Sequence, residues 1–326
     1  MITRIIKDDC NIQELRKKYG KGLHWVIGDT HGEVRTLHDL MEKIQFDPAN
    51  DRIYLLGDYN GGGDPYELLK YISQYYSTEH SSEGFHLIRG NHERELEPMF
   101  PLENIPDIIV IRGIVMNYYL VHAGMVGSAF ELINKDMADS PYKYYFAYSL
   151  TEKSAGYDAP LRQLTWSLYG LYSQRSKKKI WPDESELYRK KACIIHGHTP
   201  YCFFDETSRV YYGDKSVFWE KQHIWFSEEL QGFNIDSNIK GRTEKGGSYR
   251  GLSCICLEAI EDIARCGGNR LTADSVADAD NFVFTADYNN NDGFKSAGTI
   301  DNLLNASPEM KVIDVDTDGK TFINNK

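Results

Sequence analysis

Apolar residues come in short runs along the first ninety positions, and each run stops at a small polar cluster. Residues 23–27 form one such run and end in Gly28-Asp29. Val34, Leu37, Leu40, Met41 and Ile44 then recur at helical spacing, which predicts a helix over 33–44. Residues 52–56 read as a second strand ending in Gly57-Asp58, and 65–76 as a helix with Pro65 in its first turn. Residues 85–88 give a third strand, which leads into Gly90-Asn91-His92. This βαβαβ rhythm predicts parallel strands joined by crossover helices. In such sheets ligands gather outside the carboxyl ends of the strands, where all three polar clusters fall.

The texture changes after residue 105. Residues 108–111, 114–116 and 118–121 read as successive strands, partly antiparallel. Residues 128–190 read as a tyrosine-rich, helical, cap-like insertion, in which packing of the tyrosines is the first expectation and stacking on a base the second. Further strands are expected at 192–195, 201–204, 210–212, 232–236 and 252–257. The fold class expected is α/β (α+β): a central sandwich of two mixed sheets flanked by helices. Residues 1–260 are expected to form the main domain and 261–326 a C-terminal appendage of unassigned role, with a hairpin at 311–323. Asp314-x-Asp316-x-Asp318-Gly319 opens like a calcium loop, but its twelfth position is Asn325, so a hairpin turn is the better reading.

Charge and cysteine usage narrow the setting. A net charge of -11 over 326 residues argues against nonspecific binding to nucleic acid or anionic membranes. No apolar run reaches transmembrane length, and MITRIIKDDC carries no apolar signal region. Six cysteines without zinc-finger pairing read as reduced thiols, hence an intracellular, cytoplasmic protein.

Five segments carry the chemistry: GDTHG at 28–32, GDYN at 57–60, RGNHE at 89–93, VHAG at 121–124 and HGHTP at 196–200. Asp29 and His31 lie two apart on one loop, so a carboxylate oxygen and an imidazole nitrogen can reach one cation. Asp58 leaves the neighbouring strand and can bridge two. Asn91 offers a neutral amide oxygen, and His122 and His198 complete a second ligand set. Mixed oxygen and nitrogen ligation suits two divalent ions, manganese first, with iron or zinc as alternatives. Two ions about 4 Å apart can ready a hydroxide and hold both ends of an in-line displacement at phosphorus. His92, beside a ligand yet surplus to the set, suits the general acid that protonates the leaving oxygen.

These segments resemble those of the calcineurin-like metallophosphoesterases, particularly the phosphoprotein phosphatases, which include serine/threonine phosphatases and diadenosine tetraphosphatase-like enzymes. The resemblance covers roughly residues 22–258 and implies a dinuclear phosphoesterase acting on a phosphorylated protein or a nucleotide-type substrate. Residue by residue, it implies Asp29, His31 and Asp58 on one ion. It implies Asp58, Asn91, His122 and His198 on the other, and His92 as the acid. Asn234-Ile235-Asp236 also resembles a late segment of nucleotide-cleaving and bacterial members.

The chain departs from the family at GDYNGGG, 57–63. Gly61 and Gly62 stand where an aspartate that orients the acid and an arginine that grips phosphate are usual. A second clamping arginine, usual after a Leu-Leu-Trp segment, is also missing after Trp166. Loss of such arginines removes charge-assisted bonds to phosphate. A metal-binding regulatory protein with weak catalysis is therefore a rival reading. Asp64 is a candidate replacement for the aspartate, and Arg162 or Arg175 for a clamp. Arg89 either contacts substrate or braces its loop. The run of 61–63 either cradles phosphate or widens the pocket, and the basic run 175–179 reads as a solvated helix end. His196 is expected to support the site without binding metal.

Overall fold

The site owes its position to strands that all present their carboxyl ends to one place. The computed structural model describes residues 2–8, 10–75, 84–96, 105–139, 145–148, 181–198, 215–239, 250–279 and 282–296. The first half contains β1 (Ile2–Ile5), α1 (Ile12–Tyr19), β2 (His24–Ile27), α2 (Val34–Lys43), β3 (Arg52–Leu55), α3 (Pro65–Ser73) and β4 (Phe85–Leu87). A 3-10 helix follows at His92–Leu96. Next come β5 (Ile108–Arg112), β6 (Asn117–Val121), α4 (Gly127–Asp139) and β7 (Tyr145–Tyr148). The rest comprises α5 (Glu184–Arg189), β8 (Ala192–His196), β9 (Ser216–Trp219), β10 (Ile224–Ser227), β11 (Gly232–Asn234), β12 (Gly251–Cys256), α6 (Leu257–Cys266), α7 (Ala273–Asp278) and β13 (Val283–Asp287).

The smaller sheet has the order β13-β12-β2-β3-β4, and the larger one β1-β9-β10-β11-β8-β6-β5-β7. As the spacing predicts, β2, β3 and β4 are adjacent and parallel. In the larger sheet β6, β8 and β11 are also mutually parallel neighbours. Period-two alternation divides the larger sheet's side chains between two cores. Ile109, Ile111, Tyr118, Leu120, Cys193 and Ile195 join the main core with Trp25, Ile27 and Phe284 of the smaller sheet. Ile108, Val110, Tyr119, Val121 and Ile194 face the other way, onto Ala129, Phe130 and Ile133 of α4.

Local chemistry sets the helix ends. Asp64 caps α3 by accepting from the Tyr66 and Glu67 amides, and Pro65 occupies the first position. Glu33, which precedes α2, makes no side-chain cap. The last described stretch supplies one instead: Asn291 Oδ1 accepts from the Arg35 amide at 3.0 Å.

Three expectations are corrected. Residues 114–116 are a turn: the Gly113 amide donates to the Met116 carbonyl at 2.8 Å, and the Val115 and Met116 amides donate to the buried Glu261 carboxylate. Tyr145–Tyr148 is a strand within the stretch expected as helix, because it takes the open edge of β5. The segment expected as an appendage instead supplies β13 to the smaller sheet, paired antiparallel with β12 from Gly251↔Asp287 to Ile255↔Val283. The strands expected at 201–204 and 210–212, the run 175–179 and the hairpin at 311–323 lie outside the described residues. No helix among the described residues is long and apolar enough to cross a membrane. Among the described residues, Cys10, Cys193, Cys254, Cys256 and Cys266 form no disulfide with one another.

Candidate metal centre

Asp29 and His31 follow β2, Asp58 follows β3, Asn91 and His92 follow β4, His122 follows β6, and His198 follows β8. Three of these residues hold left-handed backbone, His31 at φ 45, Asp58 at φ 53 and His198 at φ 69. Such a conformation costs a residue with a Cβ about 1–2 kcal/mol. Three instances in the polar loops turn the side chains of three separate strand ends inward. Asp29 His31 Asp58 form one group whose ligand atoms lie within 4.8 Å of one another, and Asp58 His122 His198 form another. Asp58 belongs to both.

The histidines are oriented by what their other nitrogen touches. His122 Nδ1 lies 2.9 Å from the Leu56 carbonyl, and His31 Nδ1 2.8 Å from the Asn60 carbonyl. A carbonyl accepts only, so each Nδ1 carries the proton and each Nε2 is left with a lone pair. Around His122 Nε2 lie Asn91 Oδ1 at 2.9 Å, His198 Nδ1 at 3.0 Å and Asp58 Oδ1 at 3.3 Å. Burial pushes the His122 pKa down to about 3, so the imidazole stays neutral, as a cation ligand must. His31 Nε2 lies 3.8 Å from Asp58 Oδ2.

Negative charge is concentrated here. Burial, then the charges of Asp236 and Asp58, push the Asp29 carboxyl well above the usual carboxylate range. Asp29 Oδ2 accepts from the His198 amide at 2.8 Å, while its buried Oδ1 accepts no hydrogen bond. An orphaned buried carboxylate oxygen beside unprotonated imidazole nitrogens fits a divalent cation. Glu93 carries no role in the sequence-level expectations, although it closes the RGNHE segment. It is fully buried and accepts from the amides of Asp58 at 3.0 Å, Tyr59 at 2.7 Å and Gly90 at 2.5 Å. It thereby ties the loop after β3 to the loop after β4. Burial raises its pKa to about 8.

His92 lies beside the groups rather than within them. Its amide donates to Asp58 Oδ1 at 3.0 Å, and its Nε2 lies 3.9 Å from Asp58 Oδ2. Asp64 does not take the place of the missing aspartate, because its carboxylate is engaged as the α3 cap. Arg89 braces its loop: Nε and Nη2 donate to the Ile105 carbonyl at 3.2 and 2.6 Å, and the side chain is 5% exposed beside Asp107. Arg162 lies outside the described residues. His196 is buried next to the site, with Nδ1 3.2 Å from the Gly197 carbonyl. Gly61 holds φ 107, and Gly62 and Gly63 are explained by close backbone packing. The Gly63 amide donates to the His31 carbonyl at 2.6 Å. A Cβ on Gly62 would come within 2.8 Å of that carbonyl oxygen. A Cβ on Gly63 would meet the Gly32 carbonyl and Asn291.

The family model described as calcineurin-like phosphoesterase matches residues 24–222, more than half of the chain. A symmetrical bis(5'-nucleosyl)-tetraphosphatase from Pseudomonas putida (strain W619) is 37% identical over 73 residues, which is 22% of this chain and 23% of the relative. The namesake from Cellvibrio japonicus is 29% identical over 126 residues, 31% of this chain and 44% of the relative. The chain thus spans less than half the length of these curated relatives. Among solved structures, a protein serine/threonine phosphatase from Saccharomyces cerevisiae aligns over 86% of this chain and 84% of its own, at 14% identity and a TM-score of 0.43.

Proposed function

We propose, from the premise that this chain belongs to the calcineurin-like phosphoesterase family, that it is a hydrolase of phosphoric esters or anhydrides dependent on two divalent cations, manganese first. The observation that carries this reading is the convergence of two ligand groups on one shared carboxylate, Asp58. Asp29, His31 and Asp58 would hold one ion, and Asp58, Asn91, His122 and His198 the other. Bound there, the ions would supply Lewis acidity toward phosphoryl oxygens and an acidified water. The chain's own part is to exclude bulk water, which the burial of Asp29, His31, Asp58 and His122 supports, and to move a proton. His92, 19% exposed at its side chain, is the group that protonates the leaving oxygen. Asp58 holds the backbone of His92, whose amide donates to Asp58 Oδ1 at 3.0 Å.

A nucleotide-type polyphosphate is the substrate class favoured, supported by the activity in the names of the relatives. A chain without an arginine at 62 or directly after Trp166 is also poorly equipped for the dianion of a phosphomonoester. The test is a turnover panel with manganese: a dinucleoside polyphosphate, a chromogenic monoester, a chromogenic diester and a phosphothreonine peptide. We expect the first to be cleaved fastest, and His92→Ala to lower kcat by about 10²–10⁴-fold without loss of manganese binding. Preference for the phosphopeptide would redirect the assignment to a protein phosphatase. No turnover of any substrate, with manganese demonstrably bound, would leave a regulatory binding protein.

A further inference from the structure

Residues 288–296 leave β13 and run across the amino ends of α2 and α3. Hydrogen bonds and ring contacts fasten this strap. The Asn289 amide donates to Thr36 Oγ1 at 3.0 Å, and Asn289 Nδ2 to Asp39 Oδ2 at 2.6 Å. The Ser296 amide donates to Glu67 Oε2 at 2.9 Å, and Ser296 Oγ to the Glu67 carbonyl at 2.7 Å. Phe294 packs edge-on against Tyr71 and His38. Between these anchors one side chain reaches the loop that bears Asp29 and His31. Asn291 Nδ2 donates to the Gly32 carbonyl at 3.0 Å, while Asn291 Oδ1 accepts from the Arg35 amide at 3.0 Å.

That placement matters because of the loop's own geometry. His31 and Gly32 are both left-handed, at φ 45 and φ 76. Two consecutive left-handed residues are unfavourable without external support, particularly where one has a Cβ. The His31 amide is held by the Asp58 carbonyl at 2.7 Å and the His31 carbonyl by the Gly63 amide at 2.6 Å. The next carbonyl, Gly32, accepts from the Val34 amide and from Asn291 Nδ2, both at 3.0 Å, and Asn291 is the partner that comes from outside the turn. The start of α2 has no cap from Glu33, so Asn291 also fixes the helix to which the loop leads. The space is filled: a Cβ on Gly63 would lie 2.5 Å from Asn291 Nδ2.

We infer that Asn291 is a positioning residue for the cation site, holding the His31–Gly32 turn in its strained form so that His31 Nε2 faces Asp58. This rests on the reading of Asp29, His31 and Asp58 as ligands. It gives the stretch after β13 a direct part in the site.

The test measures manganese binding to the metal-free full chain by titration calorimetry, alongside thermal melting in chelator. Wild type, Asn291→Ala, Asn291→Asp and Asn289→Ala are compared. Loss of such a supporting contact typically costs about 10–100-fold in metal affinity, and that loss is expected for Asn291→Ala. Asn291→Asp keeps the acceptor for the Arg35 amide but sets a carboxylate oxygen against the Gly32 carbonyl, so a loss at least as large as that of Asn291→Ala is expected. Asn289→Ala loosens the same strap at Asp39 only. It is expected to lower the melting temperature as much as Asn291→Ala does while binding manganese within about twofold of wild type. Wild-type affinity in Asn291→Ala overturns the inference, as does an equal loss in Asn289→Ala, which would make the strap a general brace. If wild type binds no manganese, the underlying reading fails and takes the inference with it.

Discussion

Burial and the neighbouring charges of Asp236 and Asp58 raise the Asp29 carboxyl far above its usual range, and this residue shows what the site costs the fold. A raised carboxyl pKa means that the unfolded chain releases its proton first. Stability is therefore lost as pH rises through the ordinary carboxylate range, and the loss grows until the folded carboxyl itself ionises. At pH 7 Asp29 is thus a destabilising group in the metal-free protein. Asn is nearly isosteric, can keep an oxygen toward the His198 amide and carries no charge. We expect Asp29→Asn to raise the stability of the metal-free protein by about 1–3 kcal/mol. The same variant should lose the thermal shift that manganese gives wild type. Urea titration with chelator and with manganese measures both effects. A variant less stable than wild type in chelator would show that Asp29 serves the fold rather than a cation.

At the scale of elements, the loop 57–63 joins β3 to α3 and sits flat on the loop after β2. The sequence displays its glycines but not their reason. Gly61 and Gly62 read as losses from a phosphate grip, whereas Gly61 holds φ 107 and Gly62 lies too close to the His31 carbonyl for a Cβ. Gly63→Ala would force a methyl against the Gly32 carbonyl and Asn291. Overpacking of this kind costs about 1–3 kcal/mol. We expect that loss in urea titration, together with weakened manganese binding, because the displaced neighbour is the His31–Gly32 turn. Unchanged binding in a destabilised Gly63→Ala would separate the two loops energetically. The same contrast governs what was legible elsewhere. Helix α2 and strands β2, β3 and β4 are visible because each carries its own apolar period and ends at a polar cluster. Tyr145–Tyr148 and Val283–Asp287 are strands because a neighbouring edge was open, β5 for one and β12 for the other. Such a cause lies in the partner and leaves little mark in four or five residues. Asn291 was hidden for a like reason: it lies 259 positions from Gly32.

At the scale of the molecule, the two sheets bring five strand ends together, and every one of them delivers a lone pair or a negative charge. The candidate ligand residues stand out in the chain because each sits in a short glycine-containing segment at a strand's end. Glu93 does not, since its function is to accept amides from two loops that only the fold brings together. A site with Asp29, Asp58, Asp236 and Glu93 all buried, in a chain of net charge -11, carries repulsion that cations would relieve. Metal removal should therefore act on the whole fold rather than on a loop, since the ligands come from both sheets. Binding to the folded state alone stabilises by about 2.7 kcal/mol when free metal is a hundred times its dissociation constant. For a chain of 326 residues each kcal/mol moves the melting temperature by about 1.5 °C. We expect chelator to lower the melting temperature by about 4 °C, and excess manganese to restore it. Asp58→Asn, which removes the shared carboxylate, should lose the response at both ligand groups, whereas His122→Ala should keep the part that belongs to Asp29, His31 and Asp58. Calorimetric scans of the three proteins decide this. An Asp58→Asn protein that still gains the full shift would mean that the cation binds away from the strand ends.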